Sequence, residues 1–383
     1  MRLAVEHLGV VYEAPAGDPY GHACEPRIVR LADRTILLSH RAGTRRESAD
    51  GRPHVLRSRD EGRTWEDLGR PFDDVIERGW DLRGAGFTQL ASGRVLAVII
   101  GLDKRLDRPV YNPDGEGLVP IANFFARSDD AGSTWSPAWR LTGQPIPQTA
   151  SQGLLALPGG DVLMTFETFK EYEEPGPWRY QGGMLRSHDE GRTWGEQVIS
   201  AASDFEGDPH DTMWWDPRIA RLADGTLVQF YYAFRHRTSG EGPVHAAWSM
   251  DEGRTWTPPT PTALWGQATY PIALPAAPGG AGRRVIAFQQ RRTGSGTMRA
   301  FYSSDGGRTF DPTSETVVYE HGQTSAGAAD GSLSSFDYLI SMDRFTFGHP
   351  CGVPLGPDRA LAIWYSGGLL RTAIHAAELR VIV

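Results

Sequence analysis

Five copies of one short pattern constrain this chain more than any other feature. They are SRDEGRTW (Ser58 to Trp65), SDDAGSTW (Ser128 to Trp135), SHDEGRTW (Ser187 to Trp194), SMDEGRTW (Ser249 to Trp256) and SSDGGRTF (Ser303 to Phe310). Each has the form Ser-x-Asp-x-Gly-x-Thr followed by Trp or Phe. The residue types suit a hairpin tip: the carboxylate accepts bonds from turn amides, glycine supplies a positive φ, and the aromatic fills the space beneath. Upstream of each copy lies a pair of apolar strands joined by a Gly/Asp turn. These pairs start at Glu25, Gly84, Ser151, Asp216 and Tyr270, and a sixth starts at His349. The sixth pair has no such tip, and the residues that follow it are too few for four strands. The partly alternating run Arg2 to Tyr12 is free to complete it.

The five tips are Asp-box (BNR) repeats, and from its first box to its last the chain resembles the sialidase superfamily of β-propellers. That resemblance and the six strand pairs predict one all-β domain over residues 1–383. It is a six-bladed β-propeller of four-stranded antiparallel blades, its ring closed by the N-terminal strand in the last blade, which removes an open edge. In that superfamily the boxes lie at the blade periphery. The resemblance therefore implies that Asp60, Asp130, Asp189, Asp251 and Asp305 serve structure, not chemistry.

Composition narrows the partners. The chain has 383 residues, 40% hydrophobic and 22% charged, with a formal charge of −8 and no long basic run. A nucleic-acid partner is not expected. No apolar stretch approaches the about 20 residues of a membrane helix, so no membrane partner is expected either. The N-terminal sequence as given shows no export-signal pattern, so the expected location is the cytoplasm. Cys24 and Cys351 are the only cysteines, too few for a disulfide framework or a sulfur-based zinc site. The sequence predicts no cofactor and no metal.

In a propeller the loops entering the innermost strands form the pocket face, so chemistry is sought at the six strand starts. Three of them, Glu25, Asp216 and His349, are able to transfer protons. Glu-Pro-Arg-Ile at Glu25 and Asp-Pro-Arg-Ile at Asp216 are near duplicates. Alternation would put Arg27 beside Glu25 and Arg218 beside Asp216. The four groups form either salt bridges lining a channel or a carboxylate pair for acid/base work with arginines that bind an anion. His349 stands level with the carboxylates as proton shuttle or base, and His22 lies in a similar Gly-His-x-Cys context. The loop RAGTRRESADGRPHV carries Glu47, Asp50 and His54. Because sialidases draw their general acid from this loop, the resemblance points to Asp50, with a solvated loop carboxylate as the alternative. Further substrate contacts are expected from Trp80, Asp81 and Arg83 before blade two, Gln148 and Gln152 before blade three, and Tyr270 at blade five. The segment before blade four adds His210, Asp211, Trp214 and Trp215, where a tryptophan would either stack on a sugar or fill the core.

Position by position, the chain departs from true sialidases. Cys24 stands where the first arginine of the carboxylate clamp belongs, Asp216 where the glutamate assisting the tyrosine nucleophile belongs, and His349 near that tyrosine. Arg235 or Arg237 would have to replace the second arginine, and the blade-five start QATYP offers none. The resemblance thus implies a carbohydrate-active enzyme, a sialidase-like exo-glycoside hydrolase that removes a terminal sugar, acidic ones included, from an oligosaccharide or glycoconjugate. Two other readings stay open. One is a lyase acting beside a uronate, with His349 or His210 as base and Tyr270 as acid; the other is a glycan-binding propeller without catalysis.

Overall fold

The computed structural model describes residues 1–382 except 106–107, 116, 144–147, 152, 177–180, 203–211, 236–239, 278–281 and 323–340. Its architecture is an all-β propeller. Among the described residues the only α-helix is Asp73–Ile76, and no helix is long and apolar enough to cross a membrane.

Among the described residues the strands form five hydrogen-bonded sheets rather than the six separate blades expected from the repeats. One sheet of eight strands contains both Phe347–Pro354, Arg359–Gly367 and Thr372–Ile382, and His22–Arg30, Ile36–Gly43, Arg52–Ser58 and Glu66–Gly69. A single parallel pairing, His22 with Thr372, joins the two groups. Arg2–Tyr12 runs antiparallel to Thr372–Ile382, with Leu3 opposite Val381 and His7 opposite Ala377. The next three sheets are built around Val95–Asp103, Val162–Thr168 and Leu227–Arg235, and the last around Val285–Arg291.

The apolar cores lie between successive sheets, because each sheet is hydrophobic on both faces. Leu37, Val55, Phe87, Ile99 and Phe124 fill the space between the first sheet and the second. Val98, Phe125, Met164 and Phe166 do so between the second and third, and Val228, Phe230, Val285 and Phe301 between the fourth and fifth. Ile286, Phe288, Trp364 and Leu379 join the fifth to the first.

The five Ser-x-Asp-x-Gly-x-Thr tips share one hydrogen-bond pattern. In the first, Ser58 Oγ accepts from Gly62 N at 2.9 Å and donates to Asp60 Oδ1 at 2.9 Å. Thr64 donates to the same carboxylate through its N–H at 2.9 Å and its hydroxyl at 2.6 Å. Burial raises the Asp60 pKa, but the bonds from Thr64 and Ser58 outweigh it, and the carboxyl is held below its ordinary value. Asp189 is brought to about 2 in the same way. These aspartates have their acceptor capacity filled by their own turns. The tip glycine is also packed against the preceding blade: a Cβ on Gly253, at φ +88°, would stand 2.9 Å from Met184 Sδ. Arginines preceding three of the serines reach the following tip, with Arg57 Nη1 donating to Ser133 Oγ at 2.7 Å and Arg127 Nη2 to the Glu190 carbonyl at 2.6 Å. The repeats thus hold neighbouring sheets together.

Candidate active site

Three strand starts share a local distortion. Pairing passes from Cys24–Arg41 to Arg27–Ser39, from Trp215–Tyr232 to Arg218–Phe230, and from Gly348–Tyr365 to Cys351–Ile363. Each step inserts one extra residue, a β-bulge, at Glu25-Pro26, Asp216-Pro217 and His349-Pro350. Proline has no N–H to give to the ladder, so a bulge at that point leaves no ladder donor unpaired. The residue before it takes a positive φ: 54° at Glu25, 50° at Asp216 and 50° at His349. For non-glycine residues such backbone costs on the order of 1–3 kcal/mol each. Tyr270-Pro271 carries no bulge and pairs in register with Phe288 and Ala287.

All three bulged side chains line one cavity of about 150 Å³. Its charged wall is formed by Glu25, Arg27, Arg46, Glu47, Arg83, Arg292 and His349, with Glu167 and Asp216 beside it. Ile100, Leu102, Leu118, Phe169, Trp215 and Phe345 make the apolar wall.

Glu25 and Glu47 are locked between two arginines. Arg83 Nη1 lies 3.3 Å and Arg46 Nη2 3.6 Å from Glu25 Oε1. Arg46 Nη1 lies 2.6 Å from Glu47 Oε1, and Arg83 Nη2 pairs with Glu47 Oε2. Burial pushes both glutamates up, but Arg83 and Arg46 outweigh it, so both stay ionised with lowered pKa values. Arg46 also donates to the Met342 carbonyl at 2.7 Å. The loop bearing Arg46 and Glu47 is fixed from below by a fully buried pair, Arg41 Nη2 to Asp81 Oδ1 at 2.9 Å. Arg41 further donates to the Ser48 carbonyl at 2.7 Å and the Arg45 carbonyl at 2.9 Å.

Across the cavity the two acids are in opposite states. Glu167, on the strand Val162–Thr168, accepts from the Asp216 N–H at 3.0 Å and from Thr149 Oγ1 at 3.3 Å. Burial, followed by the nearby Asp216 charge, raises Glu167 to about 7. Burial would also raise Asp216, but Arg218, whose Nη2 lies 2.8 Å from Asp216 Oδ1, together with Arg27 and Arg292, brings it below the ordinary carboxylate value. Glu167 therefore titrates near neutrality, where Asp216 is already charged.

His349 is held through its N–H, which donates to Gln290 Oε1 at 2.7 Å. Its Nε2 faces Arg46 Nη2 at 3.4 Å; a guanidinium can only donate, so this nitrogen is the acceptor and the proton sits on Nδ1. Burial drives the His349 pKa well below its ordinary value, and the ring is neutral. Arg27 Nη1 donates to the Ser151 carbonyl. Burial and the adjacent Arg218 charge pull Arg27 down to about 10.

Of the residues singled out from the sequence, His349, Asp216, Glu25, Arg27, Arg83 and Trp215 line this cavity. Asp50 does not: its carboxylate accepts from Ser48 Oγ at 2.5 Å and Thr44 N at 3.1 Å and holds the loop that turns Glu47 inward. Arg218 is buried behind Asp216, Tyr270 packs into the intersheet cores, and His22 is buried next to Arg41, away from the cavity. His210 and Gln152 lie outside the described residues. Trp215 faces the cavity and stacks on Phe234 at 5.1 Å, whereas Trp214 turns toward Tyr231 and His245. Sequence reasoning missed Glu167, Arg46 and Arg292. Glu167 carried a signal, a lone carboxylate inside the apolar run Val162–Phe169.

Residues 111–269 match the model of the BNR repeat-like domain family. A xyloglucanase of Hypocrea jecorina (strain QM6a) is 25% identical over 331 residues, covering 79% of this chain. The chain spans only 39% of that protein's length. Among solved structures, the GH93 α-L-arabinofuranosidase of Fusarium graminearum, in complex with arabinobiose, aligns with a TM-score of 0.66 at 13% identity over 98% of each chain. A Hadza microbial sialidase aligns with a TM-score of 0.63 at 16% identity, over 97% of this chain and 68% of its own.

Proposed function

Because this chain is a β-propeller of the sialidase-like, BNR-repeat superfamily, we propose that its cavity is the active site of an exo-acting glycoside hydrolase that removes a terminal sugar. The observation that carries this reading is the Glu167–Asp216 pair, two neighbouring carboxyl groups whose surroundings push their proton affinities apart. Such a split assigns roles in glycoside hydrolysis. Glu167 enters protonated and donates to the glycosidic oxygen as the bond breaks. Asp216 meets the positive charge that develops at the anomeric carbon, as nucleophile or as the base that activates water. The xyloglucanase and arabinofuranosidase likenesses support a carbohydrate substrate.

The remaining groups bind and orient. Glu25, Glu47, Arg46 and Arg83 form a rigid charged floor, and His349 is a neutral hydrogen-bonding residue within it. Arg27 donates to a carbonyl, and its charge, which already acts on Glu25 and Asp216, is the one an acidic substituent on the sugar would meet. The cavity, at about 150 Å³, is small beside the roughly 300–1,000 Å³ of drug-sized sites, which favours one terminal ring over an internal stretch of polymer. The same reading takes the eight-stranded sheet as two blades joined by one bridge, giving six blades with Arg2–Tyr12 closing the ring.

The test is mass spectrometry of an oligosaccharide pool, neutral and acidic, incubated with the protein in heavy-oxygen water. Label in a released monosaccharide, lost in Glu167→Gln and Asp216→Asn, is the expected result. An unsaturated, unlabelled product would replace hydrolysis by elimination. Binding without any product would make the propeller a lectin.

A further inference from the structure

Two loops continue the cavity wall from the Glu167 strand. One brings in Tyr111 and Leu118, the other Phe169. They are joined at several points: Leu118 N donates to the Lys170 carbonyl at 3.0 Å, and Asn112 Nδ2 donates to the Tyr172 carbonyl at 2.7 Å. Their approach is close enough that a Cβ on Gly117 would stand 2.1 Å from the Glu171 carbonyl oxygen. The Lys170 side chain lies inside this junction, 7% exposed. Its ammonium donates to the Gly115 carbonyl at 2.8 Å and the Gly176 carbonyl at 2.6 Å, one from each loop. Burying an ammonium is costly unless its donors are used, and here they are spent on cross-linking two backbones.

We propose that Lys170 is a positioning residue for the reaction: its ammonium clasps the two loops into one wall, and that wall keeps water away from Glu167. The inference rests on Glu167 being the general acid. Its consequence is that the partial shielding of Glu167, half-buried at the cavity wall, depends on a side chain that does not line the cavity. A clasp of this kind couples a distant ammonium to the acid through backbone position alone, since lysine and carboxyl make no contact.

The experiment compares the wild type with Lys170→Met and Lys170→Arg. Hydrogen exchange reports the clasp, and carbon-13 NMR of labelled glutamate carboxyls, with the Glu167 signal assigned by its loss in Glu167→Gln, reports the consequence. Lys170→Met is expected to speed amide exchange about tenfold around Leu118 and Tyr172, and to lower the Glu167 midpoint by about one pH unit as water enters. Lys170→Arg, which can donate to both carbonyls, is expected to keep both near wild type. Unchanged exchange in Lys170→Met would overturn the clasp. Faster exchange with an unmoved Glu167 midpoint would make Lys170 merely structural and overturn the proposal. Should Lys170→Met not fold, Asn112→Ala loosens the same junction and is read by the same criteria. Both readouts are independent of turnover: absence of hydrolysis by the wild type defeats the general-acid reading while the clasp is still decided.

Discussion

Glu167→Gln removes the proton donor while preserving shape, and its effects follow from the environment of the carboxyl. A rise from 4.5 to about 7 corresponds to roughly 3 kcal/mol of bias against the ionised form, at roughly 1.4 kcal/mol per pH unit. The wild type should therefore show a basic limb in kcat/KM near pH 7, because activity requires the protonated acid. Glutamine abolishes that limb. Loss of general acid catalysis lowers kcat/KM by about 10²–10⁴ on a substrate with an ordinary sugar leaving group, and far less on a dinitrophenyl glycoside, whose leaving group needs no proton. Stability gives a check that needs no substrate. The folded-state pKa lies above the unfolded one, so between these values the folded state binds more protons, and stability falls as pH rises from about 4.5 to 7. Removing the ionisable group removes that loss. From pH 5 to pH 8, urea unfolding of Glu167→Gln should thus gain on the wild type by up to about 3 kcal/mol. A basic limb that survives the substitution, equal losses on both leaving groups, or parallel stability–pH curves would refute the assignment.

Other consequences are equally specific. Arg46→Met leaves Glu25 and Glu47 with one arginine between them, and denaturant unfolding should show a loss of about 3–5 kcal/mol, the usual effect of breaking a buried ion pair. His349→Gln should raise KM while both limbs of the pH–rate profile stay in place, since the neutral ring is not one of the titrating groups; a displaced limb would restore it as a proton carrier. Asp251→Ala removes the bonds from Thr255 at 2.9 and 2.6 Å and should cost about 1–3 kcal/mol with kcat unchanged, as measured by thermal unfolding beside steady-state kinetics. Leu3→Ala, in the core between Arg2–Tyr12 and its neighbours, should destabilise by about 2–5 kcal/mol; a neutral result would mean the N-terminal strand contributes little.

The parts legible in the sequence are those governed by local chemistry. The five tips were recognisable because serine, aspartate, glycine and threonine at fixed spacing satisfy one turn's own donors and acceptors. Glu25, Asp216 and His349 were found together because each is a proton-transferring side chain at the start of a repeated strand pair. The chain's repeats also implied six units, yet pairing of His22 with Thr372 merges two of them into one sheet. The loop after the second strand was identified as contributing an acid, but Asp50 was preferred to Glu47. The direction in which that loop turns depends on Arg41 and Asp81, residues separated by a whole blade's worth of chain.

What the sequence by itself determined is therefore the strand pairs, the turns between them and the three strand starts that carry proton-transferring side chains, all matters of local residue pattern and neighbouring hydrogen bonds. Which acid meets which was decided by the tertiary structure. Glu167 and Asp216 lie in different sheets. Their opposite charge states come from burial and from arginines brought near through space, and the free energy of a charge depends on what surrounds it in three dimensions, not on what precedes it in the chain.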